Sequence, residues 1–492
     1  MAQARGLALL LASVALLAAC GGSSTPKPPR GGAELKLVLP LLPRTLDPAR
    51  AVDLPTLNVV HELYAGLTRF SGTGVEPDLA RSWDTSENGL VWTFHLRKGI
   101  RWSNDSPITA EDFRRSWLRA LSPRTGSAFA RAEMQNIRGA RAYRATGTGA
   151  VAVEAVDDHT LRITLGHPVP WLDQQVAWPV FFPVPRSGDV TSGPFRLASR
   201  TAGRLVLERN FNYWDVSSVK PRRLVLTTSA PRADGVLPRG VASPGFPWID
   251  TVGPPPPGAH GLSTLATGLL WLVTKGTPLS DLGTRHYVGW VLAHLNLGSE
   301  PTSLIPDAIP GAATVNSHAP VNVPPRPGAL RLTLAYTPQD RSGSEVVAAL
   351  RRSGPLLRSF GIELDFRPAA TLAGLVRLAG PPAQPGVDLV VLGWSSEFFD
   401  AYNTLDLFPC GSAFNVARWC NPAYDALMAR AVRTLDDQKR RQIERRLVEL
   451  LHDGVPAIPL YSASDHFSLG SGVGGFSWSP IGIYELMGMT RS

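Results

Sequence analysis

The chain has 492 residues, of which 44% are hydrophobic, and 49 basic residues against 40 acidic ones give it a net charge of +9. This length exceeds what one hydrophobic core usually organises, so we expect two or more lobes. The arginines are scattered and no nucleic-acid recognition motif is visible, which argues against nucleic-acid binding and suits a mildly basic body beside an anionic membrane surface.

The N-terminal segment predicts export. Its apolar run GLALLLASVALLAA has the length of a signal peptide and is too short for a comfortable membrane span. The run leads into L-A-A-C at residues 17–20, which resembles the lipobox of bacterial lipoproteins. That resemblance implies cleavage after residues 1–19 and a lipid on Cys20, which would anchor the protein on the extracytoplasmic side of the cell membrane. The alternative is a buried cysteine after a helical anchor. Residues 20–33, rich in Gly, Ser and Pro, predict a flexible tether.

The other two cysteines, Cys410 and Cys420, form an even pair outside the reducing cytosol. They predict a disulfide that closes a short loop. A zinc site would need further Cys or His residues at close spacing, and the sequence has none there. We therefore expect no metal and no cofactor.

The first half of the chain alternates strand and helix patterns. Apolar residues at every second position predict strands over 34–39, 90–96 and 161–165, and a hairpin over 193–210. Residues 108–121 predict a helix, with Thr109 as N-cap, Asp112 at the third position and an apolar stripe through Trp117.

The second half repeats this pattern after residues 230–260, which are rich in Pro and Gly and predict a loop or a crossing between lobes. The patterns that follow predict a strand over 330–336, a helix over 344–361, one continuous buried strand over 387–394, and helices over 421–435 and 436–454. Interleaved strands and helices in both halves predict an α/β fold.

Two short motifs hint at catalysis and are incomplete. HELYA at His61 lacks the second histidine of a zinc-protease helix, and Ser217 begins an S-x-x-K tetrapeptide of a kind that recurs by chance in a long chain. An enzyme is therefore not expected.

Nine stretches carry a further pattern: 45–53, 61–70, 75–113, 156–165, 191–214, 276–292, 393–403, 419–431 and 455–465. In this order they resemble the extracytoplasmic solute-binding proteins of the peptide/nickel class (family 5), the receptors of ABC importers, and are closest in pattern to dipeptide- and oligopeptide-binding lipoproteins. The resemblance implies a two-lobed type II periplasmic-binding-protein fold with an additional subdomain inserted in lobe I. It implies these boundaries: lobe I over 34–60, 182–265 and 461–492, the inserted subdomain over 61–181, and lobe II over 266–460.

The resemblance also implies a binding site in GWSSEFFDAYN, residues 393–403. Peptide-binding members carry a Trp, two residues and then an Asp that pairs with the α-ammonium of the ligand. Here Trp394 is followed by Ser395 and, three positions on, by Glu397, which is one methylene longer than Asp. Glu397 is either this anchor or a solvated loop acid, Trp394 lines the pocket or belongs to the core, and Asp400 contacts ligand or serves as a loop or cap residue.

The function implied is capture of a small ligand, most readily a peptide, between the lobes of a monomer, and its delivery to an ABC permease and its ATPase. The alternatives are a metal chelate or a sugar as ligand, a degenerate lipoprotein without transport function, and an exported hydrolase.

Lipidation gives the first testable prediction. A Cys20→Ala variant removes the sulfur that would carry the lipid, so we expect a larger, unprocessed precursor on immunoblots of membrane fractions. A variant that is still cut to the mature size and stays membrane-bound would show that the lipobox interpretation is wrong.

Overall fold

The computed structural model describes residues 32–39, 41–228, 248–250, 260–293, 295, 303–310, 328–338, 340–379, 386–412, 414–469 and 471–492. Cys20, its tether and most of the predicted crossing at 230–260 lie outside them.

The strands of these residues are β1 Glu34–Leu39, β2 Thr68–Ser71, β3 Gly74–Pro77, β4 Ala80–Thr85, β5 Val91–Leu96, β6 Val153–Asp157, β7 Thr160–Thr164, β8 Phe195–Thr201, β9 Arg204–Arg209, β10 Arg223–Thr228, β11 Trp248–Asp250, β12 His260–Leu272, β13 Leu330–Tyr336, β14 Ile362–Pro368, β15 Leu389–Val391, β16 Trp394–Ser395, β17 Ala457–Ser468, β18 Val473–Gly474, β19 Ser477–Ser479, β20 Ile483–Glu485 and β21 Thr490–Arg491. The α-helices are α1 Leu54–Leu63, α2 Ala110–Leu121, α3 Ala128–Glu133, α4 Ala140–Thr146, α5 Leu172–Gln175, α6 Leu282–Ala293, α7 Arg341–Arg352, α8 Gly354–Ser359, α9 Leu372–Ala379, α10 Tyr402–Leu405, α11 Pro422–Ala431 and α12 Asp437–Gly454.

One mixed sheet runs through the molecule in the order β14-β13-β15-β12-β17-β11-β1-β10-β9-β8, with β16 paired to β12. We call the half from β11 to β8, with the elements packed on it, lobe I, and the half from β14 to β15, together with β16 and the loop to residue 403 that follows it, lobe II. Strands β12 and β17 are antiparallel partners over most of their length and join the two halves. Their register shifts between Ser263 and Thr267 and again between Gly268 and Leu269, as expected where a strand pair bends between lobes.

An inserted subdomain, formed by β4–β7 and α2–α5, builds a second, antiparallel sheet in the order β4-β5-β7-β6. The predicted alternation is present, because Trp92, Phe94 and Leu96 of β5 are all buried. Helix α2 begins after Thr109, as predicted, and buries Trp117, whose indole Nε1 donates to the Phe181 carbonyl at 2.6 Å. This packing holds α2 against the segment that follows α5.

Lobe II has its own apolar core, in which β13, β14 and β15 pack against α6, α7 and α8. The sequence predicts one helix over 344–361, but the structure has two, since α7 ends at Arg352 and α8 begins at Gly354. Pro355 in the first turn of α8 explains the break, because proline fits a helix start and lacks the N–H that a helix interior needs.

The predicted continuous strand over 387–394 is also wrong. Strand β15 ends at Val391, and β16 resumes at Trp394 with a separate pairing to Thr267 of β12. A Cβ on Gly393 would lie 3.1 Å from the Thr267 carbonyl oxygen, so the close approach at the break favours glycine. The break redirects the chain into the loop that holds the candidate site.

Three further features bear on the sequence predictions. Within the predicted loop 230–260, β11 is a strand that pairs with β1 and β17, so that part of the prediction is wrong. Cys410 and Cys420 form a disulfide. None of the described helices combines the length and the apolar character that a membrane crossing requires.

A buried carboxyl joins α1 to the C-terminal segment. Glu62 is 3% exposed, its Oε1 accepts the Leu486 N–H at 2.8 Å, and burial raises its pKa from 4.5 to about 8. The folded protein keeps this proton up to about pH 8, whereas the unfolded chain loses it near pH 4.5. Unfolding between these values therefore releases a proton, and the contribution of Glu62 to stability falls as pH rises.

A Glu62→Gln variant keeps the acceptor for Leu486 and cannot ionise. We expect the free energy of unfolding to fall less steeply with pH between about 5 and 8, by up to about 1.4 kcal/mol per pH unit. Urea unfolding across this range measures the slope, with the exposed Glu87→Gln as control. An unchanged slope in Glu62→Gln would contradict the shifted pKa.

Candidate functional site

The loop after β16 lies against the inserted subdomain, so the predicted site residues stand where the two lobes meet. Trp178 Nε1 donates to the Glu397 carbonyl at 2.7 Å, and the Phe399 N–H donates to Gln174 Oε1 at 2.6 Å. The ring of Trp171 stacks on Phe398 with 4.9 Å between centroids and 9° between planes. Apolar faces and backbone hydrogen bonds therefore fix this loop from the opposite lobe.

Trp394 is half-buried and packs against the core, which is one of the two roles that the sequence allows. Its ring lies 5.4 Å from the ring of Phe414 and packs against the main core, while its Nε1 donates to Asn403 Oδ1 at 2.8 Å. The hydrogen bond spans the loop from its first residue to α10 and orients the indole. Ser395 is exposed and holds its place through β16, opposite Ala266 of β12.

Glu397 is not a solvated loop acid. Its side chain is half-buried, and its carboxyl group forms a hydrogen bond with that of Glu133, at the end of α3 in the inserted subdomain. Glu133 is 4% exposed, and its Oε2 accepts from Gln175 Nε2 at 3.0 Å. The two acids thus meet across the lobe boundary, with the amide of Gln175 beside them.

Burial sets the charge of this acid pair. It raises the pKa of Glu133 well above its usual value, with further increases from the charge of Glu397 and from their hydrogen bond, against a decrease from Gln175. Burial also raises the pKa of Glu397, and there the hydrogen bond from Glu133 acts in the opposite direction. Two adjacent carboxyls cannot both ionise cheaply, so the ionisation of either one raises the pKa of the other.

The carboxylate of Asp400 forms hydrogen bonds and an ion pair within the protein. Its Oδ2 accepts from Arg440 Nε at 2.9 Å and lies 2.9 Å from Arg440 Nη2, and its Oδ1 accepts the Tyr402 N–H at 2.9 Å. The side chains of Asp400 and Arg440 are 8% and 6% exposed. Glu444 lies 3.7 Å from Arg440, and burial followed by the charge of Asp400 raises its pKa to about 9. Asp400 therefore has the loop and cap role that the sequence also allows.

Sequence patterns missed the part of the site that comes from the inserted subdomain. Glu133, Gln175 and Trp178 lie more than 200 residues from Glu397 and belong to no motif. The only local signal was the aromatic residues around Trp171 and Trp178, which the predicted helix and strand patterns left unassigned.

The incomplete catalytic motifs form no active site. Ser217 Oγ bonds to Asp215, and Lys220 Nζ donates to the Ser217 carbonyl rather than to its hydroxyl. Burial lowers the pKa of His61 to about 3. Among the residues that the structure describes, no group of three or more His, Cys, Asp or Glu side chains could hold a metal ion.

The fold defines a class, the two-lobed periplasmic binding proteins. The periplasmic murein tripeptide binding protein MppA, in its unliganded open form, superimposes with a TM-score of 0.78 at 22% identity, over 94% of this chain and 99% of that chain. Haemophilus influenzae OppA in complex with the peptide RPPGFSPFR gives a TM-score of 0.69 at 21% identity, over 94% and 99%. At these identities the likeness establishes the fold.

The sequence comparisons point in the same direction. Residues 74–236 match the model of the bacterial extracellular solute-binding proteins, family 5 Middle. The oligopeptide-binding protein OppA of Bacillus subtilis is 24% identical over 525 residues, which cover 93% of each chain. YgiS of Escherichia coli, named a probable deoxycholate-binding periplasmic protein, is 26% identical over 465 residues, 85% of this chain and 86% of that one. Residues 74–236 are therefore similar to family 5, and most of the chain is similar to relatives that are named as binding proteins.

The buried ion pair under the loop gives a prediction. Asp400→Asn removes the buried carboxylate beside the Arg440 guanidinium and leaves the exposed Asp437 and the carboxyl of Glu444 as its acidic neighbours, so we expect a loss of up to about 3–5 kcal/mol in the free energy of unfolding. Asp437 also pairs with Arg440, at 2.6 Å, but its side chain is 65% exposed. We therefore expect Asp437→Asn to lower the free energy of unfolding by less than about 1 kcal/mol. Urea unfolding compares the two variants. Equal losses would show that burial of the pair does not matter.

Proposed function

We propose that this protein captures a peptide with a free N-terminus between its lobes, with the α-ammonium of the peptide on Glu397. The single observation that carries the proposal is the position of Glu397, an acid held half-buried where the two lobes meet. A charge-assisted hydrogen bond is strong where water is excluded, and an ammonium is the ligand group that such an acid complements. Trp394 and the aromatic residues of the opposite lobe supply flat apolar area beside it.

The names of the relatives support a peptide ligand. OppA of Bacillus subtilis is an oligopeptide-binding protein, and a protein of Lactococcus lactis that is 24% identical over 497 residues is a dipeptide-binding protein. Hinge bending at β12 and β17 would enclose the ligand without any catalytic group. The lipid on Cys20 would keep the protein at the membrane, where it would deliver the peptide to an ABC permease. The lobe boundaries 34–60, 61–181, 182–265, 266–460 and 461–492 belong to this proposal.

A second candidate ligand comes from one observation. YgiS is named as probably deoxycholate-binding, and a bile acid has no ammonium group. A ligand of that kind would use the aromatic surfaces around Trp171 and Trp394 and would leave Glu397 without a charged partner. A comparison of ligands with and without a free amine therefore separates the two candidates.

The test uses trialanine and N-acetyl-trialanine, titrated calorimetrically into wild type and Glu397→Gln. We expect wild type to bind the free amine about ten- to a hundredfold more tightly than the acetylated form, which corresponds to roughly 1.5–3 kcal/mol. Glu397→Gln should discriminate little, because its amide carries no charge.

The matched control is Glu363→Gln, which neutralises an exposed acid on β14, away from the loop, and should discriminate like wild type. Equal wild-type affinity for the two peptides would reject Glu397 as the ammonium anchor. Tight binding of deoxycholate, with no binding of either peptide, would favour the second candidate.

A further inference from the structure

Glu397 faces a second acid that the peptide-binding pattern does not contain. The carboxyl groups of Glu397 in lobe II and Glu133 in the inserted subdomain form a hydrogen bond with each other. A carboxylate only accepts hydrogen bonds, so two of them can bond directly only through a proton. One proton between two carboxyls leaves the pair with a single negative charge.

Gln175 adds an independent observation that points to a ligand. This residue is 5% exposed, and its amide group faces the pair, because its Nε2 donates to Glu133 Oε2 at 3.0 Å. The carbonyl Oε1 of the same amide is buried and, in the part of the chain that the structure describes, has no hydrogen-bond partner. Buried acceptors are seldom left unpaired, so a donor from outside the chain is expected at this place.

The arrangement suits a primary ammonium group. Such a group carries one positive charge and three N–H donors. The site has three acceptor oxygens, one each from Glu133, Glu397 and Gln175, and their number equals that of the N–H donors of a primary ammonium. A water molecule could satisfy Gln175 but would leave the shared proton in place. An ammonium instead supplies a positive charge and N–H donors to both carboxylates, and so it replaces the shared proton.

The other polar groups on the packed elements are already engaged. Trp178 and Gln174 bond to the backbone of the loop. On α12, Arg440 pairs with Asp400, Asp437 and Glu444. Asp173 of α5 is buried, which raises its pKa to about 6, and the charges of Asp437 and Arg440 act on it.

We propose that Glu133 is a second carboxylate of the ammonium site and that the ligand's ammonium replaces the proton shared by Glu133 and Glu397. The inference rests on the proposed function and extends it to a residue of the opposite lobe. The exchange balances: the acid pair with its proton has a charge of minus one, the ammonium enters with plus one, and one proton leaves to solvent. The site keeps the same net charge, so binding adds no net charge to it.

The exchange has a direct consequence for pH. Where the pair holds its proton, binding must expel it, so affinity should rise up to about tenfold per pH unit. Above about pH 8 the α-amino group of the ligand itself loses its charge, and affinity should fall again. Capture would therefore be tightest near neutral to mildly alkaline pH.

The experiment is calorimetry of trialanine binding at about pH 6 and 7, in buffers that differ in ionisation enthalpy, which counts the protons released. Wild type should release up to one proton. Glu133→Gln preserves shape, can accept from Gln175 and donate to Glu397, and shares no proton, so it should release close to none and lose most of the pH dependence. Glu154→Gln, an exposed acid of the same subdomain, is the matched control and should behave like wild type.

A second variant keeps the inference testable if Glu133→Gln does not fold. Gln175→Met has similar length and removes the third acceptor, so it should weaken trialanine about tenfold, leave N-acetyl-trialanine unaffected and retain proton release. If trialanine does not bind wild type, the proposed function and this inference are both rejected. If trialanine binds wild type without proton release, or if neither variant weakens its affinity, the inference alone is rejected.

Discussion

The arrangement of the lobes depends on one pair of strands. Strands β12 and β17 lie side by side in the middle of the sheet and join the half that contains β1 to the half that contains β13. Because backbone hydrogen bonds fix their register, a shift of one residue would move every side chain of the pair to the other face of the sheet. Strand β16 pairs with β12, so the position of the binding loop derives from the same register.

The loop is further held from both sides, which matters for a binding site. On one side, the Asp400–Arg440 pair connects the loop to α12. On the other side, Trp178 and Gln174 of the inserted subdomain form hydrogen bonds with the loop backbone. These bonds form on folding, so the loop does not have to be ordered again when a ligand arrives. The backbone that carries Trp394 and Glu397 then has few alternative conformations.

Much of the fold could be predicted from sequence, because its elements carry local signals. The alternation at Trp92, Phe94 and Leu96, the cap at Thr109 and the Asn421-Pro422 helix start are contained in a few neighbouring residues, and the structure has all three elements. Two of the predictions that fell short concern breaks, at Ser353 and at Gly393, where one residue interrupts a pattern that otherwise continues, and the third concerns β11, whose pairing with β1 and β17 exists only in the folded sheet. Glu133 and Gln175 could not be predicted, since their relation to Glu397 exists only after the two lobes meet.

The C-terminal segment sets an order on how the chain can fold. Leu486 donates to Glu62 from 424 positions away, and Tyr484 donates to Asn58 across 426. Contacts this distant in sequence form slowly, because a long loop has to close before they are gained. The core of lobe I begins with β1 at Glu34 and is complete only when Ile481, Ile483 and Leu486 are in place. A nascent chain that has not yet reached these residues therefore exposes the apolar surface of α1 that packs against them, and that surface is open to non-native contacts until they are added.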